Sequence, residues 1–192
     1  FEITGEPTDI YPLKPKAQQL LRRGLEAMHR KNLDLADDYF QKALEANGAD
    51  HPSLLYNLLT IRQMKTDRFK ADKDLAEIVR RFPDYSFAAI SLAISKVRKD
   101  EIEAAKNLTE RFYEKKKWHV SEIKVWFYYN LELALAERHF ESARKSLEML
   151  RNFDENLDEE HWSDLIDRME LYDKISTNIK RRPQRSKAKR KG

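Results

Sequence analysis

From Lys16 to about Lys180 the apolar positions of this chain recur at helical spacing, in blocks separated by short polar gaps. Ile102, Ala105, Leu108 and Phe112 fall at i, i+3, i+6 and i+10. Leu75, Ile78, Val79 and Phe82 fall at i, i+3, i+4 and i+7, and Phe40, Ala43 and Leu44 follow the same spacing. Each set lines one stripe of a 3.6-residue helix, as expected of a helix that buries one side against a neighbour. The gaps lie near Lys31-Asn32, Gly48 to Pro52, Thr66-Asp67, Pro83-Asp84, Lys99-Asp100, Lys116 to His119, Arg138-His139 and Asn152 to Asp158. They predict eight helices and a ninth over roughly Glu159 to Lys180. Pro52 suits a first helical turn, where a missing N–H leaves no bond unmade. Asp84 and Asp158 suit helix N-caps. Residues 1–15 hold Pro7, Pro12 and Pro15 and show little period. They predict an irregular lead-in, or linker, that packs through Ile10, Tyr11 and Leu13.

The blocks also repeat. NLDLADDYFQKAL (Asn32 to Leu44) recurs loosely as DRFKADKDLAEIV (Asp67 to Val79), DEIEAAKNLTERF (Asp100 to Phe112) and RHFESARKSLEML (Arg138 to Leu150). Aligned on Ala36, Ala71, Ala104 and Ala143, the spacings are 35, 33 and 39 residues. A small residue lets two antiparallel helices approach closely, and a large one four positions on fills the flanking groove. One hairpin cannot bury its apolar face alone, so hairpins stack. The 39-residue spacing implies about five extra residues near Lys115 to His119 and an irregular join there. The ninth helix reads as a cap, with Trp162, Leu165, Ile166, Met169 and Tyr172 on one face and acids around the rest.

The pattern resembles the tetratricopeptide repeat family over about residues 16–152. Leu20, Gly24, Ala36, Phe40 and Ala43 stand where that family has a bulky residue, Gly, Ala, an aromatic and Ala, and Pro83 matches its closing Pro. Leu59, Leu92 and Leu131 replace the family's Gly in the later repeats. The resemblance implies an all-α fold: a superhelix, or solenoid, of about four stacked hairpins with a C-terminal capping helix, over residues 16–179. It also implies a concave groove lined by the first helix of each hairpin. Carried onto this chain, the groove positions are Leu21, Leu25 and Met28, then Tyr56, Asn57, Thr60 and Gln63, then Ala89, Ala93 and Lys96, then Tyr128, Glu132 and Leu135. Members that grip a C-terminal carboxylate use Lys, Asn and Arg at fixed places. Here Leu21 and Leu25 take the first two, Asn57 matches the next Asn, and Ser86 and Ile90 replace the basic pair. The resemblance therefore implies no such clamp, and a groove of mixed polarity with Tyr anchors.

Composition sharpens this picture. The 192 residues are 41% hydrophobic and 36% charged, with only 4 Gly and 6 Pro. So few breakers leave long stretches free to be helical. No apolar run approaches the ~20 residues that span a bilayer, so no membrane partner is expected. The absence of Cys excludes disulfides and thiolate metal sites, and fits a reducing compartment. A cytoplasmic location is the expectation, or a nuclear one in a eukaryote. Phe1 in place of Met points to a piece of a longer chain. The net charge is +4, yet Lys180, Arg181, Arg182, Arg185, Lys187, Lys189, Arg190 and Lys191 crowd residues 180–192 with no acid among them. Subtracting those eight leaves −4 for residues 1–179, so a mildly acidic body carries a basic tail. The tail has two readings: a contact for nucleic acid or another anionic surface, or a solubilising terminus.

No catalytic site emerges. His29, His51, His119, His139 and His161 form no i, i+3 or i, i+4 pair, and there is no phosphate loop or nucleophile elbow. The nearest approach to a metal cluster, Glu160, His161, Asp164 and Asp167, reads as a solvated helix face. The aromatic run Trp126 to Tyr129 covers every side of a turn and reads as core plus groove, with base stacking the lesser alternative. The sequence thus predicts a non-enzymatic scaffold without cofactor or metal, binding a protein or peptide partner. A nucleic-acid-associated adaptor acting through the tail is the alternative.

Overall fold

A computed structural model describes residues 2–5, 11–66 and 71–181, with residues 178–181 described through the backbone alone. The chain is all-α. Among the described residues are nine helices: α1 (Pro15–His29), α2 (Leu33–Asn47), α3 (Pro52–Lys65), α4 (Asp72–Arg81), α5 (Ser86–Val97), α6 (Ile102–Thr109), α7 (Val120–Ala136), α8 (Phe140–Arg151) and α9 (Glu159–Arg181). A 3₁₀ turn, Glu110–Glu114, extends α6. Two three-residue strands, β1 (Glu2–Thr4) and β2 (Lys117–His119), pair in parallel.

Three of the hairpins share one turn geometry. Lys31, Asp100 and Arg138 all adopt the left-handed region, at φ 60°, 63° and 61°. In each case the next N–H bonds the carbonyl five residues back: Asn32 to Ala27 at 2.9 Å, Glu101 to Lys96 at 2.9 Å, His139 to Ala134 at 2.8 Å. This bond closes the first helix by satisfying a carbonyl at its C-terminus. Five residues beyond each left-handed position lies a fully buried alanine, Ala36, Ala105 or Ala143. The third repeat alanine is therefore Ala105, not Ala104, which is exposed. With Ala71, the spacings become 35, 34 and 38, so the excess falls in one place, between the third and fourth repeats.

The core is four clusters in chain order. The first joins α1, α2 and α3 around Phe40, Leu54 and Ile61. The second joins α3, α4 and α5 around Leu59, Leu75 and Ala88. The third joins α5, α6 and α7 around Ile90, Phe112, Trp118 and Tyr129. The fourth joins α7, α8 and α9 around Leu131, Leu150 and Ile166. Each cluster thus unites a hairpin with the helix that follows it. Helices α1 and α2 approach closely at Gly24, where an added Cβ would lie 2.3 Å from Phe40 Cε1. That distance is far inside van der Waals contact, so only Gly lets α1 meet the Phe40 ring there. Gly48 ends α2 with φ 72°, a conformation costly to residues bearing a Cβ.

The lead-in is not wholly irregular, as the sequence had suggested. Glu2, Ile3 and Thr4 register with Lys117, Trp118 and His119, and the Glu2 N–H donates to the Lys116 carbonyl at 2.7 Å. Tyr11 packs edge-on to Phe82, with ring centroids 5.2 Å apart, and its carbonyl lies 2.8 Å from His51 Nε2. The Lys14 N–H donates to Asn47 Oδ1, and Pro15 opens α1. Ile10 lies outside the described residues. Asp158 caps α9 as expected, accepting the His161 N–H at 3.1 Å. Asp84 does not cap α5, whose N-cap is Tyr85; it faces Arg111 at 3.8 Å.

Candidate functional site

The first helices of all four hairpins converge on one open cavity of about 770 Å³. Leu21, Leu25 and Met28 form its α1 wall. Ser53, Tyr56, Asn57 and Thr60 come from α3, Ser86 and Phe87 from α5 with Asp84 and Tyr85 just before it, and Ser121, Glu122, Lys124 and Val125 from α7. Arg111, Phe112, Lys115 and His119 close the far side. They reach it because the excess residues of the join fold as the 3₁₀ turn and β2 rather than as a plain loop.

Two polar groupings hold the walls. The Tyr56 hydroxyl pairs with Ser91 Oγ at 2.8 Å, and burial pushes the Tyr56 phenol above its ordinary pKa. Asn57 and Thr60 donate to carbonyls one turn back, of Ser53 and Tyr56. Tyr56, Tyr85 and Phe87 form a ring cluster with centroids 5.7–5.9 Å apart. On the opposite side Glu122 is buried, and it gathers donors from three elements. Ser86 donates its hydroxyl to it, Lys115 Nζ reaches it at 2.6 Å, and the His119 N–H donates to it at 2.9 Å. His119 Nδ1 accepts the Ser121 N–H, which completes a capping box at the start of α7. Reciprocal bonds of this kind use donors that the helix itself leaves unpaired. A carboxylate buried in this way needs such partners to stay charged.

Every cation on the lining has an acid beside it. Lys115 meets Glu122, Arg111 meets Asp84, and Lys124 meets Asp154 at 2.9 Å. The cavity has little net charge and a large apolar share, contributed by Leu21, Leu25, Met28, Tyr56, Phe87 and Val125.

Six of the groove residues expected from the sequence line the cavity: Leu21, Leu25, Met28, Tyr56, Asn57 and Thr60. Four do not. Gln63 is exposed a turn beyond Thr60. Lys96 pairs with Glu101 at 2.6 Å, Glu132 takes a two-point contact from Arg98, and Tyr128 donates to Asp154 at 2.6 Å. Ala89, Ala93 and Leu135 are buried core. The expected groove ran the whole length of the first helices, whereas along α5 and α7 the cavity takes only their N-terminal halves, where the 3₁₀ turn adds a wall. Arg111, Phe112, Lys115, His119 and Lys124 escaped the sequence reading. Their only advance signal was the long third spacing. Side chains of Lys180 and Arg181, and residues Arg182, Arg185, Lys187, Lys189, Arg190 and Lys191, lie outside the described set. Among the described residues, no three His, Asp or Glu side chains come together as a metal site, and no helix is long and apolar enough to cross a membrane.

Comparison with known proteins returns nothing: no family model, no curated protein and no solved structure matches this chain.

Proposed function

We propose that this chain is a helical-repeat scaffold that binds a peptide, or a segment of a partner protein, in the cavity between its first helices. The observation that carries the reading is the convergence of four separate hairpins on one open cavity of about 770 Å³. Its size falls within the range of ~300–1,000 Å³ of pockets that hold ligands. The three recurring turns and buried alanines support a repeat built on the tetratricopeptide plan. Catalysis has no part in the reading.

The lining favours a partner that presents apolar side chains. Its cations are matched by acids, and the Tyr56, Thr60 and Ser86 hydroxyls and the Asn57 amide bond within the protein, so affinity comes chiefly from burying Leu25, Phe87, Val125 and their neighbours. Such binding changes little as salt rises, unlike binding steered by charge.

A peptide selected from a random library on the intact chain and titrated by calorimetry tests this. Its affinity is expected to fall at least tenfold against Leu25→Glu and against Phe87→Ala, and to hold against Gln63→Ala, which lies off the cavity. Unchanged affinity in the first two variants, with helical circular dichroism retained, removes the cavity as the seat.

A further inference from the structure

Helix α1 and its flanks, residues 14–31, carry Lys14, Lys16, Arg22, Arg23, Arg30 and Lys31 against one acid, Glu26. All six cations are exposed, and none forms an ion pair among the described residues. Elsewhere pairing is the rule. Outside this segment, every described Lys and Arg side chain except Arg62, Lys73, Lys116 and Lys117 sits beside an acid. The acids at the start of α2 are engaged by other cations: Asp34 and Asp37 by Lys65 at 2.7 and 3.4 Å, and Asp38 by Lys42 at 2.6 Å. Lys14 and Lys16 also stand at the N-terminus of α1, whose first turn has no acid. That end of a helix repels cations and attracts anions. The segment contributes +5; removing it from the −4 of residues 1–179 leaves −9 for the rest.

The helical cations share a face. Lys16, Arg23 and Arg30 recur every seven residues, which sets them in one row about 10 Å apart. Arg22 and His29 form a second row, with Gln19 and Glu26 between the two. This outer face holds no apolar residue. Leu20 and Ala27 pack into the first cluster, Gly24 meets Phe40, and Leu21, Leu25 and Met28 line the cavity. A bilayer surface would need an apolar face to insert, and a protein interface would need buried anchors at its centre. Stacking on the bases of a single strand would need aromatic rings. Cations and amides without anchors gain affinity by releasing the counterions condensed on a polyanion.

We propose that the outer face of α1 binds the phosphate backbone of a nucleic-acid duplex without regard to sequence. Lys16, Arg22, Arg23 and Arg30 contact phosphates along about 21 Å of the helix, and the guanidinium groups match the phosphate oxygens two at a time. The acidic remainder confines the contact to this face. None of the four lines the cavity, so this surface stands or falls independently of the peptide site.

Fluorescence anisotropy of the full chain at low salt, with labelled DNA and RNA duplexes of about 20 base pairs, tests the proposal. DNA and RNA offer the same phosphates, and the two duplexes distinguish them. Wild type should bind at least one. A variant joining Arg22→Gln, Arg23→Gln and Arg30→Gln should bind at least tenfold more weakly, with the slope of log affinity against log salt reduced by about 2–3. The three sites are exposed, so helical circular dichroism should be retained. A variant joining Arg185→Gln, Lys187→Gln, Lys189→Gln, Arg190→Gln and Lys191→Gln should still bind, since α1 keeps its cations. A wild type that binds neither duplex overturns the proposal. So does an affinity that the three α1 substitutions leave unchanged, or one that the tail substitutions abolish, since the tail then holds the duplex. Tighter binding to phosphatidylserine vesicles than to either duplex overturns the choice of partner.

Discussion

In the first hairpin, Gly24 lets the Phe40 ring fill the space that a Cβ would occupy, and the buried Ala36 and Ala43 bring α2 close beside it. At the join between α6 and α7, the centre is a charge: buried Glu122, bonded to Ser86, Lys115 and the His119 N–H. One region is held by shape, the other by a polar bracket. The difference follows from what each must do. A hairpin needs only close approach, which small and large residues in register supply. The join must stop one helix, start another and carry a cavity wall between them. That leaves backbone and side-chain polar groups in a dry place, where each needs a partner.

The contrast can be broken from both sides. Phe40→Ala should cost about 3–5 kcal/mol of unfolding free energy by opening a cavity. Gly24→Ala should cost about 1–3 kcal/mol by overpacking, and Phe40→Leu in the same chain should return part of that loss. A chemical denaturation series measures all three, and an additive double variant would show that the ring is not what Gly24 accommodates. Next in size is Glu122→Ala, at about 1.5–3 kcal/mol, since its bonds involve a charged group. Hydrogen exchange should localise that loosening to residues 115–125 and leave α1 and α2 protected; uniform loosening would deny the join its separate character.

The smallest effect concerns acid. Burial alone would raise the pKa of Asp154, but bonds from Lys124, the Tyr128 hydroxyl and the Asn156 N–H outweigh it and hold the carboxylate below its ordinary value. A carboxylate depressed in this way stabilises the fold at neutral pH and ceases to do so as pH falls through its folded value. The α7–α9 end should therefore loosen in acid before the α1–α2 hairpin, which has no such buried carboxylate among its described core residues. Asp154→Asn should flatten the fall of the denaturation midpoint with pH, and an unchanged slope would reject Asp154 as its source.

The same contrast explains what the sequence could disclose. All nine helices were legible, because apolar period and breakers act locally. Ala36, Phe40 and Gly24 were legible as a close-packed hairpin for the same reason. The third alanine was misread by one position, since two adjacent alanines, Ala104 and Ala105, fit the motif equally and only burial distinguishes them. On the cavity, Leu21, Leu25, Met28, Tyr56, Asn57 and Thr60 were placed by repeat register, which overshot at Gln63 and missed Ser53. Lys115, His119 and Glu122 were not, because their meeting depends on a 3₁₀ turn and a strand that no local pattern announces. Lys96, Tyr128 and Glu132 were assigned to the groove on register, but each finds a partner on a neighbouring element instead.

The pairing of β1 with β2 bears on how the chain folds. The four clusters are local, each formed by elements close in sequence, so the hairpins can assemble one after another at little entropic cost. Glu2 and Lys117, by contrast, meet across more than a hundred residues. The loop they close is far longer than any within a hairpin. That strand should dock last, after the stack exists, and should be the first contact released on unfolding.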